Sequence, residues 1–143
     1  MFQLTYKSKA SEFMSTDDVA AILKTARDRN KEKGITGCLV FHNNCFVQII
    51  EGKKKQVKSL YQEIVKDKRH GDIQLIWEGE IEERSFSDWS MGYFDPAEAG
   101  VHHSDAKEFE QNLLLLSELS DSHSATLRMF WLGVKKLLIG EGC

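Results

Sequence analysis

Cys45-Phe46-Val47-Gln48-Ile49-Ile50 is the most apolar stretch of the chain, and a single primary amide interrupts it. Phe46 to Ile50 reads as a strand, with Phe46, Gln48 and Ile50 on one face at period two. A primary amide has two donors and two acceptor lone pairs, and burying it without partners costs roughly 1–3 kcal/mol. Gln48 therefore needs a second side chain, an ordered water or a ligand whose polar edge enters the core. Just upstream, Cys38 to Phe41 reads as a partner strand across His42-Asn43-Asn44, where asparagine tolerates the positive φ of a tight hairpin.

Working outward, Phe2 to Lys7 reads as a first strand with Phe2, Leu4 and Tyr6 on one face. Ser15-Thr16-Asp17-Asp18 is a helix start, after which Val19, Ile22, Leu23 and Ala26 recur at helical spacing until Gly34 stops the helix. Asn30 lies one turn beyond Ala26 and so continues the apolar stripe. Lys53 to Lys68 forms an amphipathic helix with Val57, Leu60, Tyr61, Ile64 and Val65 inward and the lysines outward. Ile73 to Ile81 is a fourth strand. After the polar turn Glu82 to Asp88, Trp89 to Phe94 is a fifth, placing Trp89, Met91 and Tyr93 on one face. Asp95-Pro96 to Ser104 is a linker. Two further amphipathic helices follow, one around Phe109 to Leu119 and one built on Leu127, Phe130, Trp131, Val134, Leu137 and Leu138. The order βαββαββ puts two crossover helices on one sheet face, so the C-terminal pair should cover the other.

The 143 residues suit one domain, and a net charge of −3 gives no reason to expect a nucleic-acid partner. The N-terminus has no basic n-region, and no segment reaches the roughly 18 apolar residues of a membrane span, so a cytoplasmic protein is expected. Cys38, Cys45 and Cys143 form no CxxC pair, and their odd count points to reduced thiols rather than a disulfide framework. His102, His103 and His123 lack a third ligand at metal-site spacing, and no metal is expected.

Three polar groups converge by periodicity: the Tyr6 phenol, the Asn30 amide and the Gln48 amide. They form either a buried hydrogen-bond network or a site for a planar polar ligand. Tyr6 followed by Ser8, then Ala26-Arg27-Asp28-Arg29-Asn30, Gly34-Ile35-Thr36-Gly37-Cys38-Leu39-Val40-Phe41, Phe46-Val47-Gln48-Ile49-Ile50-Glu51-Gly52, Asp67-Lys68-Arg69-His70 and Trp89-Ser90-Met91 resemble the BLUF family of blue-light sensors that use FAD. The resemblance runs from about Phe2 to Phe94, in order and at family-like spacing.

What the resemblance implies is an α+β, ferredoxin-like fold with a mixed five-stranded sheet. Residues 1–95 would form the flavin-binding domain, and 96–143 a linker with a C-terminal helical cap and output segment. FAD would be held noncovalently between the two crossover helices, with FMN or riboflavin as substitutes. By position, Tyr6 is the photochemical electron donor and Gln48 the amide beside flavin N5 and O4. Asn30 would hold the pyrimidine edge, and Ile22 and Ile64 would lie against the ring faces. Ser8, Arg29, Asp67, Arg69 and His70 would complete the cofactor contacts, and Trp89 and Met91 match the family's fifth strand. Arg29 stands where better-known relatives carry His or Asn. Light would rearrange Gln48 and red-shift the absorption without adduct formation.

Asn44-Cys45-Phe46-Val47-Gln48 is also faintly similar to the cysteine motif of LOV photoreceptors, without the arginine that follows that cysteine. A flavin oxidoreductase is a second alternative, but no GxGxxG follows any strand. A cofactor-free interaction module is a third. The expectation is a sensor that is not an enzyme and signals through its C-terminal helices to an unidentified protein effector in trans. Leu113 to Leu116 exceed one helical stripe, which points to homo-oligomerisation or partner docking.

Overall fold

The computed structural model describes residues 1–11, 15–86, 92–94 and 124–138. Their elements are β1 (Phe2–Ala10), α1 (Thr16–Lys33), β2 (Thr36–His42), β3 (Cys45–Gly52), α2 (Lys54–Lys66), β4 (His70–Glu80), β5 (Gly92–Phe94) and α3 (Ala125–Leu138).

Local chemistry accounts for the boundaries. Ser15 and Asp18 cap each other's backbone at the start of α1, and Gly34 ends that helix in the left-handed region at φ 66°. Asn43 and Asn44, at φ 49° and 62°, make the β2–β3 turn in the conformation a two-residue hairpin needs. β3 pairs with β1 and β2, and β1 pairs with β4, all antiparallel. The result is an α+β domain whose four antiparallel strands run in the order β4-β1-β3-β2, with the short β5 parallel to β2. β3 lies at the centre, and every one of its residues is buried.

The two faces of the sheet make two cores. Phe2, Leu4 and Tyr6 of β1, with Leu39, Phe46 and Ile50, pack against Val19 and Leu23 of α1 and Val57, Leu60 and Ile64 of α2. Cys38, Val40, Val47 and Ile49 pack on the opposite face against Leu127, Phe130, Trp131, Val134 and Leu137 of α3. Burial on both faces explains why β3 reads as a continuous apolar run.

Some expectations are corrected. Val65 is 49% exposed. The buried residues of α2 are Val57, Leu60 and Ile64, and the next position around the helix from Ile64 turns to solvent. β1 runs three residues beyond Lys7, to Ala10, and β4 begins at His70 rather than Ile73, because the two strands pair over their whole lengths. Cys45 is disulfide-bonded, while Cys38 is free and buried. An odd cysteine count leaves one thiol over without preventing a pair. Trp89, Met91, the helix expected around Phe109 to Leu119, His102, His103, His123 and Cys143 lie outside the described residues. No helix among the described residues is long and apolar enough to cross a membrane.

Candidate functional site

Tyr6 of β1 and Gln48 of β3 are register partners, so both side chains project toward α1 and α2. The Tyr6 hydroxyl donates to Gln48 Oε1, and the two residues are 3% and 7% exposed. Burial pushes the Tyr6 phenol well above its ordinary value, with the neighbouring Tyr61 adding to the shift. A phenol so placed stays neutral and keeps its proton available to the amide. On the other side of the sheet, the Thr5 hydroxyl donates to the Gln48 backbone carbonyl at 2.9 Å.

This pair closes the inner end of a cleft between α1 and α2 that, with its open mouth, encloses about 630 Å³. Ile22 and Ala26 of α1 line one wall, and Ile64 of α2 lies opposite. Leu39 and Phe46 form the floor beside Gln48.

The mouth is charged. Arg29, Glu63, Asp67 and Arg69 all line it. Glu63 joins the helices, 3.6 Å from Arg29 Nη1 and 3.5 Å from Lys33 Nζ. The Asp67 carboxylate receives Arg69 Nε at 3.0 Å and Arg69 Nη2 at 2.5 Å, and these hydrogen bonds hold Asp67 below the usual carboxylate range.

His70 closes the remaining side. Its Nε2 lies 2.8 Å from the Ile64 carbonyl, which can only accept, so Nε2 carries a proton. In the neutral ring, Nδ1 then accepts from the buried Ser8 hydroxyl at 2.7 Å. Ser8 thus belongs to the site through His70.

Tyr6, Ile22, Arg29, Gln48, Ile64, Asp67, Arg69 and His70 line this one cleft. Asn30 is buried on α1, where its backbone carbonyl accepts from Ile35 N at 2.9 Å, but it is not among the lining residues. Cys45 belongs to the core under α3, on the opposite sheet face from the Gln48 side chain, which leaves the thiol-adduct alternative without support.

Thr25, Leu39, Phe46 and Glu63 also line the cleft and were not singled out as site residues from the sequence. Leu39 and Phe46 carry a usable signal, since Phe46 shares the Gln48 face by alternation and Leu39 is the register partner of Gln48. Thr25 and Glu63 carry none, because each reads as an ordinary solvated helix position.

Aliphatic walls, an amide and phenol at the inner end and paired charges at the mouth suit a planar ring system with apolar faces, one polar edge and a polar tail. The donor set fits a flavin nucleotide.

Comparison with known proteins agrees. Residues 1–92 match the family described as BLUF, sensors of blue-light using FAD. The photoactivated adenylate cyclase subunit beta of Euglena gracilis is 42% identical over 89 residues, 62% of this chain and 10% of that protein. The chain thus spans about a tenth of the length of that relative. The dark-state structure of BlrB, a BLUF protein, is 32% identical with a TM-score of 0.66, covering 90% of this chain and 92% of the other. The photo-activated state of BlsA is also 32% identical, at a TM-score of 0.65 and covering 96% and 94%. With the Tyr6–Gln48 pair at the inner end of the α1–α2 cleft and the family matched over residues 1–92, the chain belongs to the BLUF family of flavin-binding blue-light photoreceptors.

Proposed function

We propose that the chain binds FAD noncovalently in the α1–α2 cleft and reports blue light through a rearrangement of Gln48. The observation that carries this reading is the hydrogen bond from the buried Tyr6 hydroxyl to Gln48 Oε1 at the inner end of the cleft. When bound, the flavin supplies blue-light absorption and a strongly oxidising excited state. Tyr6 is placed to give up an electron, and its phenolic proton has a path along the hydrogen bond to Gln48 Oε1. Gln48 is suited to register that event because its amide exchanges donor and acceptor ends on rotation or tautomerisation. Ile22 and Ile64 would flank the ring, Arg29, Arg69 and Asp67 would meet the polar tail, and His70 with Ser8 would hold the wall beside Tyr6. Asn30 would hold the pyrimidine edge, and Trp89 and Met91 would complete the light-responsive strand.

The full architecture in this reading is a mixed five-stranded sheet with two C-terminal helices over its far face. The cap from residue 96 onward is the output segment. The chain acts as a cytoplasmic sensor without catalysis of its own, engages a protein effector in trans and self-associates. The sequence relatives support an effector output, since they are named as photoactivated cyclase subunits.

The decisive experiment compares absorption in darkness and after blue light for the purified protein, Tyr6→Phe and Gln48→Ala. A bound flavin with a red shift that recovers in darkness, lost in either variant, supports the mechanism. An unaltered shift in both variants sinks it, and purified protein without a flavin spectrum favours a cofactor-free module.

A further inference from the structure

β3 carries a second buried polar residue whose role the cleft does not explain. Glu51, fully buried, stands in register with Gln3 of β1 and Thr36 of β2, which makes a polar row across three strands. Its Oε1 accepts from Gln3 Nε2 at 3.0 Å and from the backbone N–H of Ser85 at 2.9 Å. Its Oε2 accepts from Thr36 Oγ1 at 2.7 Å and from the backbone N–H of Phe86 at 2.8 Å. Both oxygens are therefore fully coordinated. Arg84 braces the row, donating to Thr36 Oγ1, to the Glu51 carbonyl and to the Gly34 carbonyl.

One arm continues to α3. Ser124 Oγ donates to Gln3 Oε1 at 2.7 Å while accepting the N–H of Leu127 at 2.9 Å, as a helix cap does. Donor and acceptor roles along Leu127, Ser124, Gln3 and Glu51 run in one direction only. Reversing the Gln3 amide would aim its oxygen at the carboxylate, so Gln3 is held in one orientation, unlike an amide paired with a hydroxyl.

Glu51 lies three residues from Gln48 on the same central strand, about 10 Å along it. It ties that strand at once to the segment following β4 and to the first turn of α3. We propose that Glu51 is a positioning residue that couples the state of Gln48 to α3 and to residues 84–86. A shift of β3 as Gln48 changes partners displaces a carboxylate whose four donors sit on β1, β2 and the 84–86 segment. The displacement is passed through Gln3 to the cap of α3. This coupling rests on the light-sensing reading above.

The test uses the full, FAD-loaded chain, reading amide hydrogen exchange across 125–138 in darkness and under blue light, with absorption recorded in parallel. Glu51→Gln should keep the red shift, because Glu51 does not line the cleft, while the light-minus-dark difference in α3 falls by about fivefold or more, the lower range of typical coupling factors. Ser124→Asp separates coupling from folding. Its carboxylate still caps Leu127 but offers Gln3 no hydrogen, so a purely structural cap survives and the light response of α3 is lost. A wild-type red shift together with wild-type α3 differences in Ser124→Asp overturns the coupling alone, and this variant decides if Glu51→Gln fails to fold. A red shift with no light-dependent change in wild-type α3 overturns it as well. Absence of a red shift from the wild type removes the light-sensing reading, and the coupling with it.

Discussion

Tyr6 and Gln48 face each other across the β1–β3 ladder, and the phenol of one donates to the amide oxygen of the other inside the core. Tyr6→Phe removes that donor and with it a buried hydrogen bond. The expected cost is about 0.5–1.5 kcal/mol, read by chemical denaturation of flavin-free protein. A stability equal to wild type would mean that water or another donor replaces the phenol without penalty.

Gly37 should tolerate no side chain, because a Cβ there would sit 2.0 Å from the Ile49 carbonyl oxygen across the β2–β3 ladder. Gly37→Ala has to push two central strands apart, so it should lose at least about 3 kcal/mol or fail to fold. Recovery of soluble protein with an unchanged denaturation midpoint would contradict the close approach.

The two exposure classes on α2 predict opposite outcomes for similar changes. Leu60, 1% exposed, should lose about 2–5 kcal/mol on conversion to alanine. Val65, 49% exposed, should change stability by no more than about 0.5 kcal/mol. Equal losses at both sites would show that Val65 is covered in solution.

Asp67 and Tyr6 set opposite limits on pH. The hydrogen bonds from Arg69 depress the Asp67 carboxyl, so its contribution is present above the unfolded value of about 3.9 and lost as pH falls through the lower folded value. Burial raises the Tyr6 phenol, so its contribution is complete below about 10 and lost as pH rises through the folded value. Arg69→Met should bring the Asp67 carboxyl back toward its ordinary midpoint in a carbon NMR titration. An unmoved midpoint would assign the depression to another group.

The Ile64 carbonyl dictates the His70 tautomer. Nitrogen NMR at neutral pH should show a proton on Nε2, both in the wild type and in Ser8→Ala, since the serine acts only on Nδ1. A proton shared equally between the two nitrogens in Ser8→Ala would assign control to Ser8.

Much of the fold is legible in the residues. Phe2, Leu4 and Tyr6 mark one strand face, Ser15 and Gly34 bracket α1, and Asn43-Asn44 announces the hairpin. The cleft is partly legible for the same reason, since Gln48 is conspicuous among apolar neighbours and Tyr6 shares their period. Glu51 and Gln3 stayed hidden because alternation assigns them to the face away from Tyr6, where a helical cover was expected but no periodicity says which polar residues meet beneath it. Their partners Ser85 and Ser124 are 82 and 121 positions from Gln3, a separation no local pattern encodes. Val65 misled because it is apolar and adjacent to the stripe, and adjacency on a helix means a turn of about 100°.

β3 is buried at every position between two covered faces, and strands of that kind open only with the whole domain. The residue proposed to register a photon therefore sits in the part of the molecule least disturbed by heat. Fraying of an edge or a loop does not reach it. Backbone opening short of global unfolding does not imitate the signal of a detector mounted there, and what darkness must hold still is the Gln48 side chain itself.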